Sequence, residues 1–236
     1  AHVGRDEYFR QHNLDPRRKL LSYACSFISF SPNYQNVEAL VHLVNSDTLP
    51  EPCQLLIRLH PTHFQNDPLF TAEMERIRRL AQSSPHVHIV EPAPLGGELG
   101  YYSGEDMPEK TSMMAHSDIF LTVYSTMVVE AAIHDRPIIS VCIDADGWDP
   151  PQPNRFLLPL SRIGDWPTHQ RFRQAGAGRV ALNAEELRRH ILFYLENPQA
   201  DQEQRHRFIQ DEVTYTDGSA GRRTGEFFLS LLERQK

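Results

Sequence analysis

The stretch "HSDIFLTVYSTMVVEAAIHDRPIISVCID" (residues 116–144) decides the fold. It starts with a short apolar run, breaks at Tyr-Ser-Thr, continues as a short apolar helical pattern, and enters a second apolar run after Asp-Arg-Pro. A strand that leads through a helix to another strand is the repeating unit of a parallel sheet. Because both apolar runs are nearly continuous, we expect strands that are buried on both faces.

The same alternation of strand and helix extends along the chain. Runs of strand length lie at 19–27, 53–60, 87–92, 119–124, 137–144 and 178–183. Helical patterns lie at 36–46, 69–84, 127–135 and 184–197, the last behind an Asn183 cap signal, and the tail from residue 200 onward reads as further helices. The sequence therefore predicts one α/β domain, doubly wound and Rossmann-like, with a mostly parallel six-stranded sheet and C-terminal helices.

Composition narrows the class of protein. The chain has 236 residues and a net charge of −7, so it is a poor candidate for binding nucleic acid over a broad face, although a local anion site is compatible with that charge. No apolar run approaches the roughly 18 residues of a membrane span, and no signal peptide is visible. Cys25, Cys53 and Cys142 lie in apolar runs without metal-ligand spacing. We expect reduced core thiols and a cytoplasmic protein.

Two long segments are expected to be loops. Residues 91–110 are Gly-rich and residues 144–166 are Pro-rich. Long loops in a compact domain are usually functional or mobile. In an open parallel sheet, ligands bind beyond the carboxyl ends of the strands near the switch point.

Polar residues stand at two of those strand ends. Arg58 and His60 follow the second strand, and Ser125 and Thr126 follow the fourth, directly before a helix. Free N–H groups, hydroxyls and a nearby Arg would form a phosphate seat. Glu130, one turn into the helix, could then accept hydrogen bonds from a ribose diol.

Each of these residues also has a purely structural interpretation. Ser125 could be an N-cap, and His60 a satisfied loop histidine. Glu130 lies among apolar residues and could form a salt bridge with Arg58. The other histidines, His63 among them, show no ligand spacing and are expected to be surface or core residues.

Several common motifs are missing from the sequence. "GGELG" is not followed by the Gly-Lys-Ser/Thr of a Walker A loop, and "CSFISFSPN" after the first strand contains no glycine. These observations argue against a P-loop enzyme and an NAD-dependent dehydrogenase. "DADGWD" at 144–149 resembles an Asp-x-Asp metal motif but follows the fifth strand, the wrong context. No metal site is predicted.

In combination, "LLIRLHP", "VHIV" and "HSDIFLTVYSTMVVEAAIHDRPIISV" resemble the C-terminal, nucleotide-binding half of GT-B glycosyltransferases. The resemblance is strongest to CDP-glycerol glycerophosphotransferases, bacterial sialyltransferases and surface-polysaccharide transferases, and "YTDGSAGRRTGEFFLSLL" resembles the ending of several of them. It covers the chain from about Lys19 to Leu232 and implies a bacterial enzyme of polysaccharide biosynthesis.

The resemblance implies a role for each candidate residue. Ser125 and Thr126 would hold the donor's phosphates, His60 would assist the leaving oxygen as the catalytic residue, and Arg58 would neutralise charge. Glu130 would hold the ribose. Ser26 and Phe27 would line the cleft, and the loop from Pro94 to Met107, including Gly104, would close over the nucleobase.

The resemblance also implies a domain organisation. Residues 1–18 resemble the linker into the second half of a GT-B enzyme, and residues 19–236 would be the donor-binding domain. The partner molecules would be a nucleotide-activated sugar donor, as substrate rather than cofactor, and a glycan or lipid-linked acceptor held by an N-terminal domain. An isolated donor domain is expected to bind without turnover, and a longer parent could be peripheral to a membrane.

Thr122 occupies the upstream position of the Glu-x7-Glu pair of retaining GT-B families, which favours an inverting, metal-independent parent. Two alternatives stay open. One is a domain like that of a non-hydrolysing nucleotide-sugar epimerase, and the other is a non-catalytic interaction module with a degenerate nucleotide cleft.

Overall fold

The six predicted strands all form in the computed structural model, which describes residues 3–27, 33–93, 104–123, 125–143 and 165–233. The strands are β1 (Lys19–Ala24), β2 (Cys53–Arg58), β3 (Val87–Val90), β4 (Ile119–Thr122), β5 (Ile138–Val141) and β6 (Arg179–Ala181). Each lies within its predicted apolar run.

Nine α-helices lie within the described residues. They are α1 (Arg5–Gln11), α2 (Tyr34–Val44), α3 (Pro68–Gln82), α4 (Met107–His116), α5 (Met127–Ile133), α6 (Pro167–Ala175), α7 (Ala184–Glu196), α8 (Gln202–Glu212) and α9 (Ala220–Glu233). Short 3-10 turns span Pro61–Phe64 and Gly104–Asp106. The predicted cap of α7 is confirmed, since the Asn183 side chain accepts the N–H of Glu186 at 2.8 Å.

Three helices are not predicted by the sequence pattern: α1, α4 and α6. Helix α4 begins inside the segment predicted as a Gly-rich loop, and α6 directly follows the Pro-rich segment. Both carry Pro in the first turn, at Pro108 and Pro167, where its missing N–H costs nothing. These prolines mark helix starts rather than the loop that they suggest in the sequence. Residues 94–103 and 144–164 of the two predicted loops lie outside the described residues.

The strand order is β3-β2-β1-β4-β5-β6, and every neighbouring pair is parallel. The order reverses between β1 and β4, which makes their carboxyl ends the topological switch point. Ala24 at the end of β1 pairs with Arg58 of β2 on one side and Thr122 of β4 on the other. The segments that follow these three strands therefore meet at one edge of the sheet.

Helices cover both faces of the sheet, as a doubly wound domain requires. On one face, Leu21 and Tyr23 of β1 pack in a core with α2, α3 and α7. On the other face, Leu20 and Ala24 pack in a core with α1, α4, α5, α6 and α8. Successive residues of β1 thus point into different cores, which explains the continuous apolar run.

Helix α1 lies in the segment predicted to be linker-like and packs on the domain. Tyr8 and Phe9 are buried in the second core. The Tyr8 hydroxyl donates to Glu109 of α4 at 2.7 Å, and His12 Nε2 lies 2.9 Å from the same carboxylate.

Two further findings concern the class of protein. Cys25, Cys53 and Cys142 are buried thiols of the core, as predicted. Across the described ranges, no helix combines the length and apolar character that crossing a membrane requires.

Candidate functional site

A cavity of about 360 Å³ opens at the switch point of the sheet. Its walls come from the segments after β1, β2 and β4 and from the starts of α4 and α5. Eight of the nine residues predicted for the site line it: Ser26, Phe27, Arg58, His60, Met107, Ser125, Thr126 and Glu130. Gly104 does not line it, and lies one turn before Met107 in the 3-10 turn Gly104–Asp106. The cavity also includes Asp106 and Lys110, which the sequence pattern does not single out.

Arg58 is the most deeply buried cation of the cavity wall, with 4% of its surface exposed. It forms an ion pair with Asp106, whose other carboxylate oxygen accepts the N–H of Ala93 at 2.9 Å. Glu130 is therefore not the partner of Arg58, contrary to the alternative that the sequence left open. The Nη1 group of Arg58 is buried and forms no hydrogen bond to any described residue. A buried N–H donor without a partner is costly, so this group is suited to a ligand oxygen.

His60 is held by the turn that follows it. Its Nδ1 accepts the N–H of Thr62 at 3.2 Å and lies 2.7 Å from the Thr62 hydroxyl. Because Nδ1 accepts, the neutral ring carries its proton on Nε2. Burial, aided by the neighbouring His63 and Arg58, lowers the pKa of His60 to about 4. At neutral pH, His60 is therefore an uncharged ring with its proton on Nε2.

Ser125 and Thr126 stand where β4 gives way to α5. The Ser125 hydroxyl oxygen accepts the N–H of Met127 at 3.2 Å, and its carbonyl accepts the N–H of Val128 at 3.1 Å. The Ser125 side chain thus bonds the backbone at the start of α5, one residue before the N-cap Thr126, and no described residue accepts its hydroxyl proton. Thr126 is exposed at the start of the helix and makes no capping bond with its side chain.

Glu130 is paired with Lys110 of α4. The Lys110 Nζ lies 2.8 Å from one carboxylate oxygen of Glu130 and 3.1 Å from the other. Both side chains are partly exposed, at 35% for Glu130 and 21% for Lys110. Among the described residues that line the cavity, the two cations Arg58 and Lys110 therefore each lie beside an anion.

Ser26 and Phe27, which follow β1, line another part of the cavity. The centroid of the Phe27 ring lies 6.0 Å from that of the His60 ring and 5.9 Å from that of the Phe70 ring. The backbone of Ser26 is held by Asn33, which accepts its N–H at 2.8 Å and donates to its carbonyl at 3.0 Å. The walls after β1 and β2 are therefore in contact through aromatic rings.

Asp106 and Lys110 escape sequence-based prediction because nothing local marks them. Both lie in the predicted loop at 91–110, and both form ion pairs with residues at least 20 positions away in sequence. A charged residue at the start of an unrecognised helix looks like any loop residue.

Comparison with known proteins gives matches only among solved structures. No family model matches the sequence, and no curated protein matches it. The wall teichoic acid polymerase TagF matches with a TM-score of 0.58 and 17% identity, over 98% of this chain and 47% of that one. MnaA of S. aureus, in a co-structure with UDP, matches with 0.56 and 13% identity, over 99% and 50%.

A putative UDP-N-acetylglucosamine 2-epimerase from Listeria monocytogenes also matches, with a TM-score of 0.55 and 16% identity, over 99% of this chain and 49% of that one. The chain thus spans about half the length of the structures that it matches. At these identities the likeness concerns the fold. The domain has the fold of one Rossmann-like half of a GT-B structure.

Proposed function

We propose that this domain binds a nucleotide-activated donor, with the diphosphate at the switch point of the sheet. The observation that carries the proposal is the guanidinium of Arg58, buried on the cavity wall with Nη1 unpaired among the described residues. A charge-assisted hydrogen bond to a phosphate oxygen would satisfy it and is worth about 1.5–3 kcal/mol.

Other donors converge on the same cavity. His60 would give its Nε2–H to a phosphate oxygen near the leaving group, and the hydroxyls of Ser125 and Thr126 would bind the phosphates from the opposite side. Fixed donors aimed at developing negative charge stabilise a leaving diphosphate. His60 is uncharged at neutral pH because its pKa is about 4, so it would act as a hydrogen-bond donor rather than as a general acid.

In the Lys110–Glu130 pair, Glu130 would bind the ribose and Lys110 would bind the phosphates. When a ribose diol donates to Glu130, Lys110 loses part of its interaction with that carboxylate and can turn to the phosphates. Because the two cations of the wall already face Asp106 and Glu130, the diphosphate has to compete with two carboxylates. Lys110 is partly exposed, so salt should screen its attraction to the diphosphate and weaken binding.

The wider role proposed for the domain is that of the donor half of a glycosyltransferase, inverting and independent of metal, with the acceptor held by a second domain. Two matches support a nucleotide ligand: a TagF structure soaked with CDPG and the MnaA–UDP structure. The roles of Met107 and Gly104 near the nucleobase stay a prediction.

A domain of the epimerase type is a second candidate, since one matched structure is named a putative UDP-N-acetylglucosamine 2-epimerase. It would use the same phosphate seat. Incubation with UDP-N-acetylglucosamine, followed by NMR of the sugar, separates the two. A C2 epimer would favour the epimerase, and an unchanged sugar with tight binding would favour the transferase donor domain.

The first test is a thermal-shift screen against UDP, CDP, GDP, ADP and CMP, with the corresponding nucleosides as controls. A ligand at 100 times its Kd should add about 2.7 kcal/mol to the free energy of unfolding. We expect one nucleoside diphosphate to raise Tm clearly and its nucleoside to raise it little. If no nucleotide shifts Tm, the nucleotide site is wrong and the interaction module becomes the better account.

A further inference from the structure

Behind the cavity wall lies a buried polar network of three residues that do not line the cavity, Asn33, His63 and Glu73. Asn33 and His63 are 0% exposed and Glu73 is 5% exposed. Burying a carboxylate and an imidazole costs free energy unless each polar atom is paired, and apolar residues of similar size would fill the space at less cost. The question is what the network does that an apolar core would not.

One arm of the network holds the segment that carries His60. The backbone N–H of His60 donates to Nδ1 of His63 at 3.0 Å. The other ring nitrogen of His63, Nε2, lies 2.9 Å from Oε2 of Glu73. Since Nδ1 accepts a hydrogen bond, Nε2 must carry the proton and donate it to the carboxylate. Glu73 thereby fixes the tautomer of His63, and the tautomer provides the acceptor that His60 needs.

The other arm holds the segment that carries Ser26. The second oxygen of Glu73 accepts the backbone N–H of Asn33 and, at 3.2 Å, that of Tyr34. The Asn33 side chain clamps Ser26 at both its N–H and its carbonyl, at 2.8 and 3.0 Å. A single carboxylate on α3 thus connects the wall after β1 with the wall after β2.

The result is a further connection between the two walls, beyond the point where the pairing of β1 with β2 ends at the N–H of Cys25 and the carbonyl of Arg58. The Phe27 ring packs 6.0 Å from the His60 ring between these walls. Because Nδ1 of His60 is engaged by Thr62, the position of its Nε2–H depends on the path of the backbone at His60. That path is what the first arm of the network determines.

We propose that Glu73 and His63 are positioning residues of the phosphate site, which set the place and direction of the His60 Nε2–H donor and of the Ser26 wall without touching the ligand. This inference rests on the proposed function, because the ligand oxygen that His60 meets is taken to be a phosphate oxygen. A polar network in which every member is paired can impose one geometry where apolar packing allows several.

The test uses Glu73→Gln, which changes one oxygen to an amide nitrogen and keeps the shape. Its remaining oxygen can still accept from Asn33 and Tyr34, but the NH₂ now faces Nε2 of His63. His63 must then move its proton to Nδ1, where it opposes the N–H of His60. The control is Gln54→Leu, at the far end of β2, where a buried side chain also bonds backbone atoms on both sides, those of Asp15.

Three readouts apply to the whole chain. The ¹⁵N shifts of the histidine rings report the tautomer, hydrogen exchange reports the amides of His60 and Ser26, and calorimetry gives Kd for the nucleoside diphosphate found in the screen and for its nucleoside. In the wild type we expect His63 as the Nε2–H tautomer. In Glu73→Gln we expect the Nδ1–H tautomer, exchange at His60 faster by about tenfold or more, and a ratio of the two Kd values reduced by about tenfold.

Gln54→Leu should lower stability and leave the tautomer, the His60 amide and the Kd ratio unchanged. The inference is overturned if His63 of the wild type carries its proton on Nδ1, or if Glu73→Gln leaves His60 exchange or the Kd ratio as in the wild type. If the wild type binds no nucleoside diphosphate, the proposed function fails. The tautomer and exchange data then still decide whether the network holds the two walls.

Discussion

Replacing Arg58 separates its contribution to stability from its proposed contribution to binding. Arg58→Met leaves Asp106, which is 7% exposed, with the N–H of Ala93 as the one remaining partner among its described contacts. Removing one partner of a buried ion pair typically costs about 3–5 kcal/mol of unfolding free energy. That is a large part of the roughly 5–15 kcal/mol that stabilises an ordinary domain.

The double variant Arg58→Met with Asp106→Asn removes both charges. The Asn carbonyl can still accept the N–H of Ala93, and the unpaired Nη1 of Arg58 disappears. We therefore expect the double variant to regain about 2 kcal/mol or more relative to the single variant. Its affinity for the nucleoside diphosphate should nevertheless be about 10 to 150 times weaker than that of the wild type, because the charge-assisted bond is gone.

Urea unfolding at 25 °C measures the stability of the three proteins, and calorimetry measures their Kd for the diphosphate and for its nucleoside. Nucleoside affinity should be similar in all three, since Arg58 is assigned to the phosphates. If the double variant is no more stable than Arg58→Met, the loss of its partner does not destabilise Asp106. If the stable double variant binds the diphosphate as tightly as the wild type, Arg58 does not contact the phosphates.

Single contacts give three further predictions. A Cβ at Gly178 would lie 2.6 Å from a carbonyl oxygen of β5, so Gly178→Ala should cost about 1–3 kcal/mol in urea unfolding. The control is Gly221→Ala, whose added Cβ would meet nothing within 4 Å and should not lower the free energy of unfolding. Equal losses of unfolding free energy in the two variants would contradict this. The pKa of His60, about 4 in the folded chain, lies below the roughly 6.5 of an unfolded one. Unfolded chains therefore bind more protons between these values, and unfolding free energy should fall as pH drops from about 6.5 to 4. The fall should be smaller in His60→Asn, and an identical pH profile would refute this assignment. Glu130→Gln should abolish a preference of about tenfold for ribose over 2′,3′-dideoxyribose diphosphates in calorimetry. The control is Glu203→Gln, which changes an exposed glutamate in the first turn of α8 and should keep the preference for ribose. If Glu130→Gln also keeps this preference, Glu130 does not bind the ribose.

The sheet could be predicted from the sequence because its strands are buried on both faces. All six residues of β2 are buried, and apart from Gln54 and Arg58 they are apolar. This pattern differs from the one-sided apolar periodicity of an amphipathic helix. The alternation of strands and helices predicted a parallel sheet that binds ligands beyond the carboxyl ends of its strands. Residues at strand ends, such as Arg58 and Ser125, could therefore be placed at one site from the sequence alone.

The partners of those residues could not be predicted in the same way. Arg58 pairs with Asp106, 48 positions later, and Glu130 pairs with Lys110 of a helix that the sequence pattern does not reveal. Ion pairs across elements depend on how two elements pack, and periodicity carries no information about that. His63 was expected to be a surface or core residue, and it is a core residue with a defined partner on each nitrogen. The His-Pro-x-His spacing, a capping-box pattern around a turn, is the signal that could have identified it.

The proposed site depends above all on a hydrogen bond from the buried guanidinium of Arg58 to a phosphate oxygen. The most direct measurement is an NMR titration of the Arg58 guanidinium ¹⁵N–¹H signals with the nucleoside diphosphate from the screen and, separately, with its nucleoside. We expect the diphosphate to shift these signals and slow their exchange with water, and the nucleoside to leave them almost unchanged. If the diphosphate binds while the Arg58 signals stay where they are, the phosphates lie elsewhere and the account of this site is wrong.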